Sequence, residues 1–132
     1  MAKHKITVRR PDSEEFDQYI DCAKRSFFVP EKHQAQFEAA SKILGPRSAR
    51  IALVNDELAA GYIHNEWGYF FGGRSVPGTG ISMVAVEPHM RRLGAATALM
   101  RQAVLDSVEG GHPLSMLYPA NFEVYHRMGY EI

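Results

Sequence analysis

The sequence predicts a mixed α/β domain, and three observations carry that prediction. Strand-like and helix-like periodicities alternate along the chain in the order β-α-α-β-β-β-α-β-α. The length, 132 residues, suits one domain with a real hydrophobic core. No internal repeat, low-complexity block or linker-like stretch divides it, so one domain over residues 1–132 is expected.

Each element has its own warrant. Residues 6–9 alternate apolar and polar, the mark of a short first strand. In "PDSEEFDQYIDCAKRSF", Asp12 is placed to cap a helix and Glu15, three residues on, to complete a capping box. Phe16, Tyr19, Ile20, Ala23 and Phe27 then fall on one helical face. Pro30 opens a weaker helix through Leu44, closed by Gly45-Pro46. "ARIALV" and "ELAAGYIHNEWGYFF" flank Asn55-Asp56, a hairpin turn signal. "GGRSVPGTG", with four glycines and a proline, is expected to be a mobile or ligand-facing loop. "ISMVAV" reads as a buried strand. A helix expected from Leu93 keeps apolar spacing until Gly110-Gly111. "PLSMLY" supplies another strand, and "ANFEVYHRMGY" a short helix ending at Gly129.

Composition excludes several classes of function. Lys plus Arg equals Asp plus Glu at 15 each, so no global field draws in nucleic acid or an anionic membrane. A single cysteine, Cys22, allows no internal disulfide and suits a reducing compartment; as a neighbour of the first helix's apolar face it reads as a packed thiol. The N-terminus lacks an apolar signal region, and no apolar run reaches membrane-spanning length, so a cytoplasmic protein is expected. Six histidines show no metal-ligand spacing, and no metal is expected.

Residues 84–100, "VAVEPHMRRLGAATALM", carry the chemistry. The first N–H groups of a helix lack intrahelical partners, and the helix dipole makes that end positive. Small residues at Gly94, Ala95 and Ala96 let a phosphate approach that backbone, and Arg91 and Arg92 add charge for further phosphates. The pattern is neither a Walker A loop nor the dinucleotide G-x-G-x-x-G.

Arg91-x-x-Gly94-x-Ala96 resembles the acetyl-CoA pyrophosphate motif of the GNAT acetyltransferase superfamily, [RQ]-x-x-G-x-[GA], set between a strand and a helix as in that family. "PANFEVYHRMGYE" is similar to the family's closing element, a short helix with a tyrosine, three further residues, then glycine and an aromatic. "GGRSVPGTGISMVAV" is similar to the N-terminal domain of the Eis-like (enhanced intracellular survival) branch, which acetylates amines on aminoglycosides, polyamines or lysines. The resemblance implies a GNAT fold, a mostly antiparallel central sheet flanked by helices. It implies that acetyl-CoA is the co-substrate, held by the backbone at Val84, Ala85 and Val86, by Arg91 and Arg92, and by the backbone at Leu93, Gly94, Ala95 and Ala96. It implies further that Asn121 lies near the CoA arm and that Tyr125 faces the thioester sulfur. In the family a further strand follows Gly129-Tyr130. Here only Glu131 and Ile132 remain, so the last strand is expected to be lacking and the chain to be part of a longer acetyltransferase or a short relative completed as a homo-oligomer.

The chemistry is coherent on its own terms. An amine of pKa about 10 must lose a proton to attack a thioester, and a leaving thiolate of thiol pKa about 8.5 can take one from a neutral tyrosine. Tyr125 suits the general acid, and a buried core tyrosine is the plainer reading. "ISMVAV" holds no carboxylate; Glu66 and Glu123 match no family position, and the base is unassigned. Trp67, Tyr69, Phe70 and Phe71 are open to three readings: sheet packing, an oligomer contact or an acceptor-pocket wall. The expected function is N-acetylation of a primary amine, small-molecule or lysine; the alternative is a CoA-binding module without catalysis.

Overall fold

A computed structural model describes residues 3–132. The elements are β1 (Ile6–Arg9), α1 (Ser13–Ser26), α2 (Glu31–Leu44), β2 (Ala49–Val54), β3 (Glu57–Phe71), β4 (Arg74–Val86), α3 (Ala95–Glu109), β5 (Leu114–Leu117) and α4 (Phe122–His126). Among the described residues five strands form one sheet in the order β1-β2-β3-β4-β5, antiparallel except for the parallel β4–β5 pair.

Local chemistry sets the boundaries. Asp12 accepts a bond from the Glu15 N–H at 2.8 Å, and Glu15 accepts one from the Asp12 N–H at 2.9 Å, the reciprocal capping box. Asn55 and Asp56 take φ of 51° and 68°, the double left-handed turn whose twist matches a hairpin. Gly72 and Gly73 make the same kind of turn between β3 and β4.

The expected loop "GGRSVPGTG" is therefore a strand, apart from its first two residues. Its glycines answer to packing rather than to mobility. A Cβ on Gly78 would lie 2.4 Å from the Tyr69 ring, and one on Gly80 would lie 2.1 Å from the Trp67 ring. Two aromatic side chains of β3 lie across β4 where β4 has none. Pro77 is tolerated because β4 has no β5 partner until Gly78.

Both faces of the sheet are buried. Phe16, Tyr19, Ile20 and Ala23 of α1 pack with Ile51, Leu53, Ile63 and Ala85 on one side. Leu99, Met100 and Ala103 of α3 pack with Ala52, Val54, Ala60 and Tyr62 on the other. Consecutive residues of β2 thus serve opposite cores, which is why "ARIALV" is apolar throughout rather than alternating.

Candidate active site

The mouth of α3 comes first. The helix begins at Ala95, two residues later than expected, because Arg92 and Gly94 take φ of 65° and 92° and hold the preceding chain out of the helix. Gly94 is the N-cap, and no side chain caps the helix. The free N–H groups of the first turn therefore lack a side-chain acceptor, and they sit at the positive end of a 15-residue dipole. Arg91 and Arg92 are exposed beside it, and neither is drawn into an ion pair among the described residues. Leu93 is half-buried against the α3-side core, which seats the loop. This donor set fits a pyrophosphate.

The edge of β4 comes next. β5 pairs with β4 only from Gly78↔Leu114 to Ile81↔Leu117, while β4 runs on to Val86. Past Ile81 the two strands part, and one side of β4 lies open. Which residues face that opening follows from the pairing with β3. The Glu87 N–H donates to the Ala59 carbonyl at 2.8 Å, so period-two alternation turns Ala85 toward β3 and Val84 and Val86 outward. Of the three residues expected to hold a CoA arm, Val84 and Val86 turn backbone N–H and C=O groups to the unpaired side of β4. Ala85 instead turns its backbone to β3 and its methyl to the α1-side core. Ser26 already donates to the Val86 carbonyl, at 3.3 Å.

Between the parted strands and α4 lies a cleft of about 730 Å³. Trp67, Tyr69, Tyr118, Phe122, Tyr125 and Tyr130 line it, six aromatics from four parts of the chain. Tyr125 is 8% exposed and stands edge-on to Tyr130 with ring centroids 6.4 Å apart. Burial, with the Tyr130 hydroxyl adding to it, raises the Tyr125 pKa, so the phenol keeps its proton through neutral pH. Tyr130 is fixed by a 2.6 Å hydrogen bond between its hydroxyl and that of Ser115. Asn121 is the N-cap of α4: its Oδ1 accepts from the Glu123 N–H at 3.0 Å, leaving its amide N–H₂ exposed.

Other groups considered in the sequence lie apart. Glu66 lines a separate polar cavity of about 550 Å³ with Arg50, His64 and Asp106. Glu123 is paired with Arg127 at 2.5 Å. Neither lines the aromatic cleft. The carboxylate that does, Glu131, is 3.0 Å from the His126 ring and was not anticipated. The i, i+2 spacing of Trp67 and Tyr69 would have shown that they share a face; that Tyr118 and Phe122 join them depends on how the chain turns after β5. Cys22 is fully buried, and burial pushes its thiol up to about 11, so it remains a protonated packing group. Among the described residues no group of three His, Cys, Asp or Glu side chains is placed to hold a metal ion, and no helix is long and apolar enough to cross a membrane.

The acetyltransferase (GNAT) domain family matches residues 7–132. An uncharacterized N-acetyltransferase of Streptomyces avermitilis is 44% identical over 61 residues, which are 46% of this chain and 15% of that protein. The crystal structure of a GCN5-related N-acetyltransferase from Anabaena variabilis superposes with a TM-score of 0.86 at 26% identity, over 93% of this chain and 31% of that one. Eis1 from Mycobacterium abscessus superposes with a TM-score of 0.79 at 24% identity, over 97% of this chain and 31% of its own, a likeness of fold. The chain thus spans about a third or less of the length of these relatives. With a five-stranded, mostly antiparallel sheet parted at β4–β5 and the family's match over nearly its whole length, the chain belongs to the GNAT acetyltransferase family.

Proposed function

We propose that this chain transfers acetyl from acetyl-CoA directly to a primary amine. The observation that carries the reading is the parting of β4 from β5: a buried, protonated Tyr125 stands beside it, and the open edge of β4 leads along the chain to the uncapped mouth of α3. The residues fit the co-substrate. Arg91, Arg92 and the backbone of Leu93, Gly94, Ala95 and Ala96 suit its pyrophosphate. Val84 and Val86 suit the amides of its arm, Ala85 helps to set their direction, and the Asn121 amide N–H₂ remains available to a carbonyl.

In the reaction the neutral amine nitrogen attacks the thioester carbonyl, a C–N bond forms and the C–S bond breaks. Tyr125 donates its proton to the departing sulfur, and the proton of the amine leaves to a base or water. The aromatic wall suits an acceptor with an apolar or cationic body, since a cation gains from ring faces. Aminoglycoside, polyamine and lysine amines all meet that description, and the likeness to Eis1 supports the Eis-like branch through the fold. Self-association as a homo-oligomer belongs to the same reading.

A CoA-binding module without catalysis is favoured by one observation: Glu131, the carboxylate on the cleft wall, is engaged by His126. The experiment that separates the two is thiol release from acetyl-CoA with a panel of amines. Amine-dependent release is the expected result. Tight CoA binding with no release from any amine would establish the second reading.

A further inference from the structure

A bulge in β4 decides which backbone groups face its open edge. Gly61 pairs with Ala85 and Ile63 with Ser82, so Met83 and Val84 together oppose Tyr62 alone. The extra residue reverses the phase of the strand. Before it, odd-numbered Ile81 faces the α3-side core; after it, odd-numbered Ala85 faces the α1-side core. A slip of one residue would exchange Ala85 for Val84 and Val86 at the open edge. Met83, at the bulge, takes φ of 54°, a conformation that a residue other than glycine keeps only where its surroundings impose it.

The surroundings that impose it come from α1. Tyr19 is fully buried, and its hydroxyl donates to the Met83 carbonyl at 2.6 Å. Its ring reaches that carbonyl across Gly61, the bulge's near neighbour on β3. A Cβ on Gly61 would lie 2.4 Å from the ring, so the glycine is the space through which the phenol passes. The same helix fastens the end of β4 twice more, by Ser26 to the Val86 carbonyl and by an ion pair between Arg25 and Glu87.

We infer that Tyr19 is a positioning residue for the thioester site: by holding the Met83 carbonyl it locks the β4 bulge and so turns the Val84 and Val86 backbone toward the co-substrate. The inference rests on the acetyl-CoA reading above. Tyr19→Phe keeps the ring over Gly61 and removes one hydroxyl. Tyr62→Phe is the control: Tyr62 stands opposite the bulge on β3 and is equally buried, but its hydroxyl donates to Asp106, at 3.4 Å, and not to the bulge.

The test measures calorimetric CoA affinity, the KM for acetyl-CoA against kcat, the melting temperature and the amide spectrum of the unliganded full chain. In Tyr19→Phe, the Kd for CoA and the KM for acetyl-CoA should rise about tenfold, a cost of about 1.4 kcal/mol. kcat should change little, and amide shifts should concentrate at residues 83–86. Tyr62→Phe should lower the melting temperature and leave both constants alone. A Tyr19→Phe affinity within twofold of a CoA-binding parent overturns the inference and leaves the proposed function standing. Equal losses of affinity in both variants also overturn it, since they mark general softening. A parent that binds no CoA overturns the proposed function and this inference together.

Discussion

The Tyr125 phenol is hidden from water on the wall of an aromatic cleft, and that burial raises its pKa above the ordinary tyrosine value. A general acid for a thiolate needs its proton at working pH, and this environment keeps it there. Tyr125→Phe removes the donor and leaves the ring against Tyr130. Turnover should fall about 10²-fold with CoA affinity unchanged; steady-state kinetics beside calorimetry check both numbers, and turnover within twofold of the parent would reduce Tyr125 to packing. Glu15 shows the opposite shift. Hydrogen bonds from Arg9 first and from the Asp12 N–H second hold its carboxyl at about 2. A folded-state pKa below the ordinary carboxylate value means stabilisation that is present above about 4.3 and lost as pH falls toward 2. Melting temperature should therefore decline through that acid window, and Glu15→Gln should flatten the decline. Glu15 was legible in the sequence through its spacing from Asp12, and the place of Tyr125 on the closing helix through its spacing from Gly129. The pairing of Glu15 with Arg9 was not, because it depends on where β1 ends relative to α1.

The mouth of α3 joins two demands on Gly94. Its φ of 92° is strained for any side chain, and its position at the N-cap leaves the helix N–H groups bare. A Cβ there would also stand 3.2 Å from Ile6 of β1. Gly94→Val should thus weaken CoA binding at least tenfold, about 1.4 kcal/mol, and lower stability by roughly 1–2 kcal/mol through the left-handed backbone. Calorimetry and denaturant melts on one sample separate the two effects; unchanged affinity in the folded variant would remove the phosphate role. The motif that marks this helix was readable as residue order. Its two left-handed positions were not, and they moved the helix start from Leu93 to Ala95. β4 was misread for a related reason. Gly78 and Gly80 carry the signature of a loop when taken alone, and their meaning appears only when Tyr69 and Trp67 arrive from the neighbouring strand. Glycine records the absence of a side chain without recording whose side chain takes the space.

The β3–β4 hairpin outruns the sheet that supports it. β2 pairs with β3 no farther than Ile63, and β5 begins opposite Gly78, so residues 68–77 of the hairpin pair only with each other. A two-stranded ribbon is marginal alone in water, and this one carries Phe70 at 80% and Phe71 at 54% exposure. The outer edge of β5 is unpaired among the described residues and carries exposed Met116. Magnitudes decide how these features act. Trp67, Phe70 and Phe71 leave about 100–150 Å² each to cover, or roughly 400 Å² per copy against the ~800 Å² per partner of a specific interface. The arm alone is too small for a specific interface, and a self-association through it would need the β5 edge for the remainder. The chain is therefore expected to self-associate through arm and edge together, and either alteration alone should weaken the assembly. Phe70→Ser with Phe71→Ser, and separately Met116→Lys, should each shift the light-scattering mass from dimer toward monomer at tens of micromolar. Neither should change the unfolding free energy of the monomer beyond the ~0.5 kcal/mol typical of surface substitutions. A parent that is monomeric at that concentration would show that the arm serves the cleft through Trp67 and Tyr69 and needs no second copy.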